Sequence, residues 1–304
     1  MTKFWESAAS SLASRLMSSS GPALVFWVWA ALVWAIGKGA GWDSFHATMT
    51  SLFNDAQAPS LLAGAVAGLI LVTVSSLIID CFTLRILRLL EGYWPTWPGI
   101  ALVARRRRER WRGKLLCLEQ SLLEASDAGD QVAGARIQTE LRNYPPDEAD
   151  MLPTRVGNII RAGERRPYIW YGLDPVIVWP QLWLVLPEQP RIDLTYSRGQ
   201  LDRSVAACTW AVLSCALAAL WPWAALTGVL AAAAIWYWWL PAAAWRYATL
   251  ISAIFDTHRF LLYNALHYPL PTDPRTEPES GRALTQALWT DNNKSPAYIH
   301  PIQK

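Results

Sequence analysis

Asp256, His258 and Arg259, in "FDTHRF", are the closest the chain comes to an acid–base pair beside a cation. General acid–base work needs both groups to converge on one reacting atom. On a helix, residues i and i+2 point apart, so Asp256 and His258 are expected to bond to neighbouring helices instead of forming a dyad. Glu164, Arg165 and Arg166, in "AGERRP", could hold an anion or could simply be a solvated helix end. Cys81, Cys117, Cys208 and Cys215 form no CxxC pair, and no two of the four His share ligand spacing. No metal site is therefore expected. There is also no Walker loop, GxGxxG, GxSxG or HExxH. The sequence gives no catalytic residue and implies no cofactor, and the chain does not read as an enzyme.

A second kind of chemistry is the passage of ions, which needs polar groups inside an apolar helix. The stretch "GAVAGLILVTVSSLIID" holds a small-residue pair, Gly64 and Gly68, with Leu71 and Ser75 on the same side, and three further polar residues, Thr73, Ser76 and Asp80. The glycines permit close approach of another helix. Thr73, Ser76 and Asp80, at i, i+3 and i+7, fall on a different side and could line a water-filled axis in a ring of subunits. The competing expectation is that Thr73 and Ser76 bond their own helix carbonyls while Asp80 sits among headgroups.

A third is charge recognition. "ARRRRERWRGK", residues 104–114, sets seven basic residues against Glu109 alone. No helix-turn-helix, finger or OB pattern surrounds it, which argues against nucleic acid as a partner. Basic clusters just cytoplasmic of a span are drawn to anionic lipid headgroups. Arg105, Arg106, Arg107 and Arg108, with Trp111 as an interfacial ring, are therefore expected at the membrane surface. Contact with another subunit or a protein partner, and binding of a nucleotide, stand as the alternatives.

These groups must be positioned by apolar elements. Of the 304 residues 53% are hydrophobic and 17% charged, against about a quarter charged in soluble domains. The deficit points to lipid as part of the solvent. Four apolar segments stand out: Pro22–Ile36, Pro59–Ile79, Val205–Trp223 and Ala224–Trp245. The first, about 22 Å long as a helix, is short for a hydrocarbon core of about 30 Å, so its helix is expected to begin near Met17. "IGKGAG" is a poor cleavage site, so this segment reads as an anchor and not a leader. Eighteen Lys and Arg lie in 81–204, six follow from Arg246, two precede the first span, and Lys38 stands alone between spans one and two. By the positive-inside rule both termini and the central segment are cytoplasmic.

The expected fold class is all-α: a polytopic membrane protein with four transmembrane helices, helical cytoplasmic extensions and a helical cytoplasmic insertion between spans two and three. Its parts are an N-terminal amphipathic or interfacial segment (1–21), spans one and two with a stalk (22–92), a cytoplasmic helical domain (93–190), spans three and four with stalks (191–267) and a tail (268–304). In the insertion, Trp111, Leu115, Leu118, Leu122 and Ala125 form one apolar stripe, followed by a helix from about Gln131 to Arg142. Thr154 and Asp174 are placed as N-caps. "PVIVWPQLWLVL" is too short to span and reads as a buried or interfacial helix, or as a re-entrant element. In the tail, "GRALTQALW" could dock as a short helix.

"GNIIRAGERRPYIWYGLDPVIVWPQLWLVLP", "LDRSVAACTW" and "AIFDTHRFLLYNALHYPLP…E…G…LTQALW" resemble a family of uncharacterised four-span membrane proteins of high-GC bacteria, over roughly residues 155 to 290. That resemblance implies a fold and brings no activity with it. In topology alone the chain is similar to bestrophin-type anion channels and to four-span large-pore channels.

The function expected is an oligomeric channel or pore-forming effector of the bacterial inner membrane, passing ions or small solutes under the control of its cytoplasmic helices. Its partners would be anionic lipids and further copies of itself, with a cytoplasmic protein or small-molecule regulator as a candidate. The alternatives are a non-conducting anchor that recruits a cytoplasmic partner, and a lipid-acting enzyme.

Overall fold

The computed structural model describes residues 2–37 and 58–290, with side chains described from residues 20 and 62 of its first two helices onward. The connection carrying Lys38, residues 291–304 of the tail and the side chains of most of the 1–21 segment lie outside the described residues. No strand occurs among the described residues. In chain order the helices are α1 (Thr2–Gly37), α2 (Ala58–Glu91), α3 (Pro98–Asp127), α4 (Gln131–Leu141), α5 (Arg155–Tyr171), α6 (Pro175–Val185), α7 (Glu188–Leu213), α8 (Trp223–Ala234), α9 (Leu240–Ala265) and α10 (Glu277–Trp289). Short 3₁₀ turns cover Glu148–Asp150 and Ser214–Ala219, and a π turn at Ile235–Trp239 joins α8 to α9.

Four helical stretches are long and apolar enough to cross a membrane: Ser20–Gly37, Leu62–Glu91, Glu188–Ala219 and Trp223–Ala265. The chain is thus compatible with a multi-pass membrane protein. α1 begins at Thr2 instead of near Met17, because nothing between them breaks a helix, and Pro22 lies inside it. α7 starts at Glu188 and α9 runs to Ala265, so the polar continuations expected of spans three and four are single helices with them.

The described chain forms two compact units, Met1–Leu87 with Gln200–Leu240, and Arg88–Gly199 with Pro241–Lys304. In the first, Phe26 of α1 stacks on Trp210 of α7, ring centroids 4.6 Å apart, and Trp29 lies 6.4 Å from Trp221. The Trp27 indole N–H donates to Ser75 Oγ at 3.0 Å, joining α1 to α2. Gly228 of α8 approaches α7 so closely that a Cβ there would sit 3.0 Å from the Ala211 carbonyl oxygen. The buried residues of α2 in this unit, Ser76, Thr83 and Leu87, follow one stripe.

The second unit has its own core. Leu173, Val178 and Leu182 from α5–α6, Ile254, Phe255 and Leu262 from α9, and Leu284 from α10 form one buried cluster. Burial of each large side chain stabilises by about 1.5–3 kcal/mol. α5 and α9 cross closely at Gly163, where a Cβ would lie 2.8 Å from that of Ala248. The α3–α4 hairpin carries a smaller cluster of Leu115, Tyr144 and Met151, with Trp111 and Leu118 packed against it. Asp130 caps α4, its carboxylate accepting from the Val132 and Ala133 N–H groups.

Candidate functional site

Of the polar residues of "FDTHRF", Asp256 and Arg259 are engaged by neighbouring helices, whereas Thr257 and His258 bond within their own helix, against the expectation for His258. Asp256 accepts from the Tyr171 hydroxyl at 2.7 Å. Burial, and then this hydrogen bond, push the Tyr171 phenol up to about 12. Arg259 reaches α10 instead: its Nε donates to Glu277 Oε1 at 2.6 Å and its Nη2 to Oε2 at 3.4 Å. The guanidinium also lies over the rings of Tyr171 (4.1 Å) and Phe260 (4.3 Å) and donates to the Asp256 carbonyl. His258 meets Thr257, Nδ1 to Oγ1 2.6 Å. The arrangement ties α5, α9 and α10 together and aims no acid and base at a common point.

Glu164, Arg165 and Arg166 are not a solvated helix end. They lie inside α5, which runs on to Tyr171, and all three are half-buried. Asp150, in the turn before the helix, receives Arg161 Nη2 at 2.7 Å and Arg165 Nε. Burial draws the Asp150 carboxyl upward, but the hydrogen bonds from Arg165 and Arg161 outweigh it and hold the group below the usual carboxylate range. Burial raises the Glu164 carboxyl, against the pull of Arg161 and Arg198. Thr154 caps α5, accepting from the Gly157 N–H at 3.0 Å, and its hydroxyl donates to the Glu91 carbonyl at 2.7 Å. A single Thr thus fixes the start of α5 and the end of α2.

A pH test follows. A carboxylate held low in the folded state stabilises fully above its unfolded value and loses that contribution as pH falls through its folded one. Asp150→Asn should cost about 2 kcal/mol near neutrality, as expected for lost hydrogen bonds to charged groups. From about pH 4 downward, where the unfolded carboxyl protonates, the difference between wild type and variant should shrink, closing only below the lower folded value of the Asp150 carboxyl. Thermal melts of the purified protein at pH 7 and pH 3.5 check this, and a constant difference at both would refute it.

On α2, Gly64 and Gly68 are exposed, and among the described residues no atom of another element lies within 4 Å of where a Cβ would sit. Ser76 is 1% exposed, Thr73 half-buried and Asp80 exposed. At about 100° per residue, Gly68 lies about 80° around the helix from Ser76, and Asp80 about 40° on the other side.

The Arg run occupies α3. Arg105 to Arg108 are exposed; Arg105 pairs with Glu109 at 3.0 Å, and Arg107 lies over the Trp94 ring at 6.0 Å. Trp111 is turned into the α3–α4 cluster, its ring 6.0 Å from Tyr144 and its N–H donating to the Pro153 carbonyl at 3.2 Å. Among the described residues no group of three or more His, Cys, Asp or Glu is placed to hold a metal ion.

The sequence singled out neither Asp150 nor Glu277. Their only advance signal was an acidic residue beside a helix start, which is common at exposed positions. Compared with family models, curated proteins and solved structures, the chain matches none of them.

Proposed function

We propose that the protein is a multi-pass protein of the bacterial inner membrane that assembles from several copies and passes ions or small solutes. The distribution of Lys and Arg supports placing residues 88–199 and both termini on the cytoplasmic side, where these helices would control conduction. The observation that carries the reading is the bare Gly64–Gly68 face of α2. A small-residue face lets another helix approach closely, and among the described residues of one protomer nothing occupies it at the two glycines, the contact with α1 falling two turns further along at Ser75. Packing copies through this face brings several α2 helices together and makes Asp80, one per subunit, the candidate group at the mouth of the path, with Thr73 and Ser76 as further lining candidates. Arg105 to Arg108 are proposed to rest on anionic headgroups, and Trp111 to support them from within the hairpin. Kinship with the four-span family stays part of the proposal. The proposed activity is conduction, not catalysis.

A second reading, a non-conducting anchor for a cytoplasmic partner, is favoured by α6. Val176 and Leu184, two turns apart, are 82% and 77% exposed on a helix whose other face is buried. An exposed apolar stripe of this kind suits a protein partner.

Purified protein in planar bilayers decides between them. A ring of carboxylates concentrates cations, so wild type should show weak cation preference and Asp80→Asn should move the reversal potential toward anions. Gly68→Leu should lower the oligomer mass in detergent. A folded oligomer silent under voltage, pH change or added cytosolic extract supports the anchor, and a monomeric wild type overturns the channel.

A further inference from the structure

The first unit contains a pocket of about 780 Å³, within the range of about 300–1,000 Å³ typical of small-molecule sites. Its walls are three helical stripes. α1 contributes Val25, Phe26 and Trp29 above Gly21, and α7 contributes Ala207, Trp210 and Ala211. The third wall, Gly228, Ala231 and Ile235, runs from α8 into the π turn. Such local π segments widen a helix at functional sites. Two lining hydroxyls are turned away from an occupant: Ser214 donates to the Trp210 carbonyl at 3.0 Å and Thr227 to that of Ala224 at 2.9 Å.

One cation breaks this apolar lining. Arg203 is the first α7 residue of the wall, a full 11 positions before Ser214, or about 16 Å of helix. The charge therefore stands at one end of an elongated slot. Among the described residues no carboxylate lies within ion-pair distance of it. Trp239 lies at the far end of the α8–π stripe from Thr227, and α8 runs back along α7 through the Gly228–Ala211 contact. Trp239 and Arg203 thus share one end of the slot. An aromatic ring and a guanidinium beside an apolar channel are the pairing that meets a lipid at the interface.

We infer that this pocket binds one anionic glycerophospholipid per protomer, an acyl chain filling the slot between α1, α7 and α8 and the phosphate resting on Arg203. Each methylene taken from water into an apolar site favours binding, but any chain supplies that. Selectivity comes from the charge, because a zwitterionic headgroup brings its own cation to Arg203 and an anionic one does not. The inference rests on the four-span reading and is independent of conduction.

The test is native mass spectrometry of the full-length, delipidated protein in non-ionic detergent, titrated with phosphatidylglycerol or with phosphatidylcholine of the same chains. Wild type should hold one phosphatidylglycerol per protomer at concentrations where phosphatidylcholine is lost. Arg203→Gln should lower the preference about fivefold, the worth of one basic group near anionic lipid, and leave phosphatidylcholine unchanged. Arg246→Gln, outside the pocket, should leave the preference intact. Ala231→Trp, which fills the slot from an exposed position, should weaken both lipids, and Val25→Trp, 68% exposed, repeats the test if Ala231→Trp does not fold. Equal binding of the two lipids by wild type, a folded slot-filling variant that binds as before, or displacement of phosphatidylglycerol by equimolar fatty acid would each overturn the assignment.

Discussion

Gly281→Val should release the helix Glu277–Trp289 from the rest of the second unit, with a large loss of local stability. Gly281 of α10 rests directly on the Tyr171 carbonyl oxygen at the end of α5, and a Cβ there would collide with it. Tyr171 is followed by Gly172, whose φ of +71° forms the left-handed cap of α5 and whose own missing Cβ leaves room for the Pro278 carbonyl. Two backbones therefore meet with no side chain between them, and neither is a flexible end that can swing aside. The contact also sets the position of Thr285, whose hydroxyl donates to the Gly172 carbonyl and accepts from the Asp174 N–H, each at 3.2 Å. Displacing α10 would strip these bonds and uncover Leu284, which is 1% exposed. The combined cost is about 3 kcal/mol or more. Amide exchange across 277–289 should accelerate about a hundredfold or more, while the α3–α4 hairpin keeps its protection. Gly113→Ala is the opposite control: it lies in α3 with nothing within 4 Å, and should stabilise by about 0.5–1 kcal/mol. Unchanged exchange in α10 after Gly281→Val would refute the packing.

The contrast between those two glycines marks what the sequence reveals. Local rules carried far: Thr154 and Asp174 are N-caps in the structure as their positions implied, and the hairpin stripe through Leu115 and Leu118 packs where its spacing placed it. Four helices long and apolar enough to cross a membrane were legible because about 20 apolar residues in a row have few other uses, and "GRALTQALW" does form a helix. The close approaches were not legible. Gly163, Gly172 and Gly281 read as helix punctuation or a turn, whereas each is needed by a backbone far away in sequence. Arg165 and Arg166 looked like a solvated end because the helix was expected to stop there; Pro167 sits inside α5 instead. Likewise nothing in the sequence around Asp150 announced that it would collect two guanidinium groups from the next helix. The ring of Trp111 suits a membrane interface as well as a protein cluster, and sequence alone cannot choose between two apolar environments. What remained hidden in every case is a tertiary pairing, which local periodicity does not encode.

The Arg259–Glu277 pair tests whether the polar cluster of the second unit acts as a tie. Its side chains are 14% and 7% exposed, so neither charge has much water to fall back on. Arg259→Met leaves the Glu277 carboxylate buried without its partner, and should destabilise by about 3–5 kcal/mol. Stacking on Tyr171 and Phe260 is lost as well, each such contact being worth about 0.5–2 kcal/mol. Glu277→Leu should cost less, because the guanidinium keeps both rings and the Asp256 carbonyl. The double variant is the informative one. Replacing both members of a buried pair by apolar groups is often nearly neutral, so Arg259→Met with Glu277→Leu should recover about 2 kcal/mol or more relative to the sum of the singles. Thermal unfolding of the full chain in detergent gives all four corners of the cycle, and amide exchange in α10 shows where stability is lost. Additive singles would mean that Arg259 acts through its rings alone and that the charge pair contributes nothing. A double variant as unstable as Arg259→Met alone would place the damage in packing, and the carboxylate would then not be what Arg259 is there to satisfy.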